Sequence, residues 1–322
     1  MKRVLIWLVV VVGVFAVAGM SPGFCGGKIA LLDSNNTKLF FGAHYPACGP
    51  TPAGDVSYYL GGDEYQRYFR GWQWLLDELK AQDAAYEYDL VGDDTLTAAG
   101  LGDYEVLILS NVAMLTDDQT RAVQKWVLSG GRLMATFGSG YKDFASDPRQ
   151  IDGWKEQKGG TFGLHQLWHD PIGKLFSSHW LVPVDPQKGV SVDVKITRYD
   201  GPTASLGELQ LPGDILGYGA EANLLIQRPV NHPSVLGFLT IGNADWKANT
   251  PAILSTRQSK GLVVYFAFAP EYIIYKELEM PGSLIGPLPA GWPTCNDGQN
   301  WAGRSDQLRL LMSGALTYLL AN

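Results

Sequence analysis

The chain has 322 residues, of which 46% are hydrophobic and 18% charged, a composition of globular rather than disordered proteins. Its net charge is −7 and no Lys/Arg cluster stands out, so the basic footprint that a nucleic-acid partner requires is missing. The length admits one large domain or two small ones, and no linker, repeat or low-complexity run divides the chain.

Met1-Lys2-Arg3 followed by the apolar run Val4 to Ala18 reads as a secretory signal, with Ala16-Val17-Ala18 as an A-x-A-like cleavage site. The alternative is an uncleaved N-terminal anchor, although the run is shorter than the ~20 residues of a spanning helix. Export is expected either way, to the periplasm, the cell surface or the medium, and an anchor would add a membrane tether. Export also permits disulfides. Cys48 and Cys295 both sit in Pro/Gly-rich loops and are candidates for a bridge, whose connectivity sequence alone does not fix. None of the three cysteines, Cys25 included, has zinc-site spacing.

Residues 28–322 are expected to form one elaborated domain. Lys28 to Asp33 is a short apolar run and predicts a buried first strand. Ser34 to Gly62 reads as a long Gly/Pro-rich loop. Asp63 to Ala81 predicts a helix, because Tyr65, Phe69, Trp72, Leu75, Leu76 and Leu79 recur at helical spacing. Tyr86 to Leu90 and Glu105 to Leu109 predict the next two strands. Thr116-Asp117-Asp118-Gln119 is a capping box with acids in the first turn, and Gly130-Gly131 ends the helix that it opens. Leu133 to Phe137 is the fourth strand.

Beyond Gly140 the pattern loosens. Phe162 to Phe176 reads as helical, interrupted at Pro171 and Gly173. Val190 to Ile196, Ser234 to Ile241, Ala252 to Thr256 and Leu262 to Phe268 read as strands. Ala248-Asn249-Thr250-Pro251 and Gln258-Ser259-Lys260-Gly261 supply turns. Ser305 to Leu320 closes the chain as a helix with Leu308, Leu311, Met312, Ala315 and Leu319 on one face. Strands alternating with helices predict an α/β fold: a flavodoxin-like, doubly wound, mainly parallel sheet with helices on both faces and inserted loops.

The stretch Asp103-Tyr104-Glu105-Val106-Leu107-Ile108-Leu109-Ser110-Asn111, then Leu115-Thr116-Asp117-Asp118-Gln119, then Gly130-Gly131-Arg132-Leu133-Met134-Ala135-Thr136 resembles the trimerisation domain of family 42 β-galactosidases. The resemblance runs over roughly residues 28–144. It implies the class I glutamine-amidotransferase-like fold, an oligomer, and a domain without amidotransferase activity. The TIM-barrel domain of those galactosidases has no counterpart here, so no sugar-cleaving residue carries over. Active class I amidotransferases end a late strand in Phe-His-Pro-Glu; the matching residues here are Phe268-Ala269-Pro270-Glu271, with Ala269 at the His position. The nucleophile turn after the fourth strand matches Phe137-Gly138-Ser139-Gly140, which has no Cys. Without that Cys and its base, glutamine hydrolysis by this route is expected to fail.

The residues leave two main functional readings, with a cell-surface-tethered interaction protein as a third if the N-terminus stays uncleaved. One is an exported, non-catalytic domain for binding or assembly, with a carbohydrate or protein partner and a carbohydrate-related role suggested by the resemblance. The other is a glycoside or ester hydrolase rebuilt at the carboxyl edge of the sheet, where open α/β folds bind ligands, with Ser139 and Glu271 as catalytic residues. Asn111, Gly138, Gly140 and Tyr141 are the candidate binding residues at that edge. Gly138-Ser139-Gly140 is also what a tight strand-ending turn looks like. His165 and His169 are spaced i, i+4 without the H-E-x-x-H glutamate, and a packed helix or loop surface explains them better than a metal site does. Neither a metal nor another cofactor is expected. The pairs Asp63/Glu64, Asp93/Asp94 and Asp117/Asp118 have local roles as caps and turn residues. The aromatic set Tyr58, Tyr59, Tyr65, Tyr68, Trp72 and Trp74 is either a core face or a sugar-stacking surface.

Overall fold

The computed structural model describes residues 28–44, 62–140, 147, 170–184, 191–196, 209–211, 222–227, 234–242, 247–271, 274 and 305–322. Outside them lie the N-terminal apolar segment, all three cysteines, His165, His169, Tyr58, Tyr59 and Tyr141.

A nine-stranded sheet organises the chain. Four strands follow in sequence: β1 (Ile29–Leu32), β2 (Tyr88–Val91), β3 (Val106–Ser110) and β4 (Arg132–Thr136). With the late strand β11 (Gly261–Phe266) they make a five-stranded parallel half in the order β2-β1-β3-β4-β11. This is the strand order of flavodoxin-like folds, with β11 as the fifth strand. The expected fold class is therefore the observed one. The inner strands are near-continuous apolar runs for a physical reason: β1, β3 and β11 are buried along their whole length, as a parallel sheet covered on both faces requires.

The sheet continues past β11 as an antiparallel extension. β10 (Lys247–Gln258) pairs with β11, β9 (Ser234–Gly242) with β10, β6 (Ser191–Ile196) with β9, and β7 (Leu209–Leu211) with β6. β5 (Ser178–Val184) and β8 (Ala222–Gln227) form a separate antiparallel pair. Strands β5, β7 and β8 have no counterpart in the sequence reading. The expected turn at Ala248 to Pro251 is instead part of β10, which absorbs its proline with a register shift between Pro251 and Ile253. The turn at Gln258 to Gly261 is present, with Ser259 at φ 55°.

Five α-helices accompany the sheet among the described residues. The first overturns the expected loop: α1 (Asn35–His44) occupies the start of the Ser34–Gly62 connection. Its amino end is held by side chains, since Thr37 N donates to Ser34 Oγ at 3.0 Å and Asn36 N to Asp93 Oδ2 at 2.8 Å. In α2 (Gly62–Gln82), Phe69, Trp72, Leu75 and Leu76 are buried at the expected helical spacing. Helix α3 (Asp117–Ser129) begins with the full capping box, Gln119 N donating to Thr116 Oγ1 at 3.1 Å and Thr116 N to Gln119 Oε1 at 2.9 Å. It ends at Gly130, whose φ of 129° is easy for glycine alone. Helix α4 (Asp170–Phe176) is the described part of the expected 162–176 helix. Pro171 falls in its first turn, where a missing N–H costs nothing, so it starts this helix rather than interrupting it.

Helix α5 (Ser305–Ala321) buries the predicted face of Leu308, Leu311, Met312, Ala315 and Leu319. It packs with α2 on one group of strands, and Arg309 joins them: its guanidinium pairs with Glu78 and lies 4.6 Å from the Trp74 ring. Trp72 is core and Trp74 is half-buried in this helix seam. Neither is part of an open aromatic platform. Of the carboxylate pairs, Asp93 departs from the expected local role, since its Oδ2 accepts from Asn36 N at the start of α1. Asp117 and Asp118 sit in the first turn of α3 and pair with Arg121. Among the described residues, no helix is long and apolar enough to cross a membrane.

Candidate functional site at the carboxyl edge of the sheet

Strands β3 and β4 run in register, so their last residues, Ser110 and Thr136, stand side by side. Both carry hydroxyls at the end of an otherwise apolar strand. Glu271, five residues beyond β11, lies fully buried against them. Its Oε1 accepts a hydrogen bond from Ser110 Oγ at 3.0 Å and a second from Thr136 Oγ1. Thr136 Oγ1 itself accepts from Asn111 N at 3.1 Å. One carboxyl oxygen thus fastens the carboxyl ends of β3 and β4 to the segment that follows β11. The other oxygen, Oε2, is buried without a partner. Burial pushes the Glu271 carboxyl up to about 7, while the bonds from Thr136 and Ser110 pull it the other way.

Glu271 is fixed from behind as well. Gly71 of α2 packs so tightly on the Glu271 carbonyl that a Cβ at that position would collide with it. This close approach, rather than any special backbone angle, is what requires glycine there.

Two non-glycine residues of this edge adopt left-handed backbone: Asn111 after β3 (φ 47°) and Phe137 after β4 (φ 46°). Each such residue costs on the order of 1–3 kcal/mol unless its surroundings hold it. Asn111 is held through its Oδ1, which accepts from Gly138 N at 3.1 Å, but its Nδ2 is buried and unpartnered. Phe137 is held through its backbone: its N donates to Phe266 O at 2.7 Å and its carbonyl accepts from the Tyr265 hydroxyl.

The strained residue of the turn after β4 is therefore Phe137, which has no nucleophilic atom. Ser139 lies two residues on and is fully buried. Its Oγ sits 2.7 Å from Thr136 O and 2.9 Å from Leu109 O, and it accepts from Val112 N at 3.1 Å. A hydroxyl has one proton to donate, and here two backbone carbonyls already share it. This bonding pins the turn to β3. Gly140 adds to the same attachment, donating its N–H to Val112 O at 2.8 Å, and its φ of 72° suits glycine. Ala269 is fully buried among the apolar residues that follow β11. The edge thus brings together Ser139, Glu271, Asn111, Gly138 and Gly140 from the sequence reading.

Sequence reasoning passed over Ser110, Thr136 and Phe137. The available signal was a hydroxyl residue closing each of two adjacent apolar strands. Among the described residues, no group of three or more His, Cys, Asp or Glu could hold a metal ion.

The sequence matches no protein-family model and no curated protein. Solved structures do resemble it. A ThuA-like protein from Bacteroides uniformis superposes with a TM-score of 0.52 at 11% identity, covering 91% of each chain. The β-galactosidase of Bacillus circulans sp. alkalophilus gives a TM-score of 0.45 at 14% identity over 78% of this chain, and that of Rahnella sp. R3 gives 0.45 at 18% over 79%. The chain spans only 30% and 31% of the length of those two β-galactosidases. At 11% identity this likeness is one of fold alone, and it agrees with the flavodoxin-like α/β sheet described above.

Proposed function

We propose that the chain is an exported, non-catalytic amidotransferase-like domain that serves binding or assembly in a carbohydrate-related setting. One observation carries the reading. At the turn where this fold would present a nucleophile, the strained residue is Phe137, and the nearby Ser139 hydroxyl is spent on the Leu109 and Thr136 carbonyls. A nucleophile needs a base within hydrogen-bond reach, and both acceptors of this hydroxyl are carbonyls. The basic start and apolar run at residues 1–18 support export. The resemblance to the β-galactosidase trimerisation domain supports assembly with further copies of the chain.

A second reading rests on Glu271. A buried carboxyl held near 7, with one oxygen unpartnered, has the protonation behaviour of a general acid–base group. On this reading the domain is a hydrolase rebuilt around Ser139 and Glu271. Turnover of glycosides, esters and glutamine by the purified chain separates the two. The binding-domain reading expects none above buffer. Turnover abolished by Ser139→Ala or Glu271→Gln would establish the hydrolase instead.

A further inference from the structure

The chain holds a single Asn-x-Ser/Thr triplet, Asn35-Asn36-Thr37, at the amino end of α1. Asparagine-linked glycosyl transfer reads this spacing: the amide accepts the sugar, and the transferase binds the hydroxyl two residues on. Asp33, two residues before Asn35, also meets the stricter form of the motif, which carries an acid at that place. A triplet this short arises by chance as well, so the placement of its members decides whether it is usable.

Asn35 is exposed, while Ser34 and Thr37 on either side of it are fully buried. Other groups start the helix: Thr37 N donates to Ser34 Oγ, and Asn36 N donates to Asp93 Oδ2. The Asn35 side chain is therefore not the cap, and a bulky group on its amide would stand in solvent without disturbing α1.

Thr37 is placed differently. Its Oγ1 accepts from Met114 N at 3.2 Å, beyond the end of β3, and Asp33 is paired with Lys38 at 2.6 Å. Folding thus leaves the acceptor amide open and shuts away the hydroxyl by which a transferase recognises it. The folded chain can carry a sugar here but cannot receive one. Attachment has to come before this edge closes, while the chain is still crossing the membrane.

We infer that Asn35 is a site of N-linked glycosylation, modified during export and before the end of β1 and the start of α1 fold. The inference rests on the exported reading above. In the transfer, Asn35 Nδ2 bonds to the anomeric carbon of an oligosaccharide carried on a polyprenyl pyrophosphate. The bond from that carbon to the pyrophosphate oxygen breaks, the lipid pyrophosphate leaves, and the amide gives up one proton to the transferase.

The test is mass-spectrometric peptide mapping of the full chain purified from the cells that naturally make it, with its mature N-terminus read in the same sample. An oligosaccharide is expected on the peptide that contains Asn35. It is lost in Asn35→Gln and in Thr37→Val and kept in Thr37→Ser. Asn35→Gln alters only an exposed side chain, so its urea midpoint matches that of the sugar-free parent. Folded chain made without the sugar, given an oligosaccharyltransferase and its lipid-linked donor, is modified at least tenfold more slowly than a peptide spanning residues 28–44, in which Thr37 is open. A chain exported with a processed N-terminus but bare at Asn35 overturns the inference and leaves the export reading standing. A bare chain retained in the cytoplasm overturns both. Equal rates for the folded chain and the peptide overturn the order of modification before folding.

Discussion

The Ser110 hydroxyl, at the last residue of β3, donates to the Glu271 carboxylate 3.0 Å away, across a sequence separation of 161 residues. The same oxygen takes the Thr136 hydroxyl from β4. A carboxyl with no exposure thereby closes the carboxyl edge of the sheet, and its chemistry sets the first prediction.

Burial lifts the Glu271 carboxyl from 4.5 to about 7. The folded chain therefore holds this proton more tightly than the unfolded chain. Below pH 4.5 both states are protonated and the carboxyl costs nothing. As pH rises the unfolded state ionises first, and stability falls until the folded carboxyl also ionises near 7. The loss across that window is about 3 kcal/mol at 1.36 kcal/mol per pKa unit. Urea unfolding from pH 4.5 to 8 should show this decline in the parent chain and a much flatter profile in Glu271→Gln. Parallel profiles would remove Glu271 as the source.

Gly71→Ala tests the support behind Glu271. The added methyl would strike the Glu271 carbonyl, and backbone cannot step aside as a flexible side chain can. Overpacking of this kind costs about 1–3 kcal/mol, even though alanine is the better helix former. A gain in the urea midpoint, as helix propensity alone would give, would show that the contact is loose.

Ser139→Ala should destabilise the turn after β4. It strips the partner from the buried Val112 N–H and detaches the turn from the Leu109 carbonyl. An unsatisfied buried donor costs about 1–3 kcal/mol. Thermal unfolding that stays within experimental error of the parent would contradict the pin role.

Thr116→Ala removes the cap of α3 and should cost about 1 kcal/mol. Gln119→Ala should cost at least as much. Gln119 Oε1 accepts from Thr116 N while its Nε2 donates to Asp93 O at 3.0 Å, so the same side chain also steadies the residue that holds the start of α1. Equal urea midpoints for Gln119→Ala and the parent would show that this link carries no stability.

These sites differ in how far the sequence announced them. The capping box of Thr116 and Gln119 is a local pattern, and so is the helical spacing of Leu308, Leu311, Met312, Ala315 and Leu319; both were readable directly. The apolar runs of β1, β3, β4 and β11 were equally plain, because strands covered on both faces need apolar side chains on both. Helix α1 was not readable. Its Asn35-Asn36-Thr37 start lies in a Gly/Pro-rich region, and its capping groups include Asp93, 57 residues away from Asn36. The length of β10 was hidden by Pro251, which reads as a turn residue until a neighbouring strand accommodates it. At the carboxyl edge, Glu271 and Ser139 were visible as polar residues after strands. What each one does depended on Ser110, Thr136, Leu109 and Val112, whose positions beside them come from parallel pairing that no local pattern encodes.

The central claim is that Ser139 is a structural hydroxyl and the edge around it is not catalytic. Its most direct test is to treat the native chain with a fluorophosphonate, which phosphonylates activated serines, and to map any adduct by mass spectrometry against Ser139→Ala. The account predicts no adduct at residue 139, because the Ser139 proton is held by the Leu109 and Thr136 carbonyls and, among the described residues, no base accepts it. Stoichiometric labelling of Ser139 in the folded protein would contradict it and identify the carboxyl edge as an active hydrolase site.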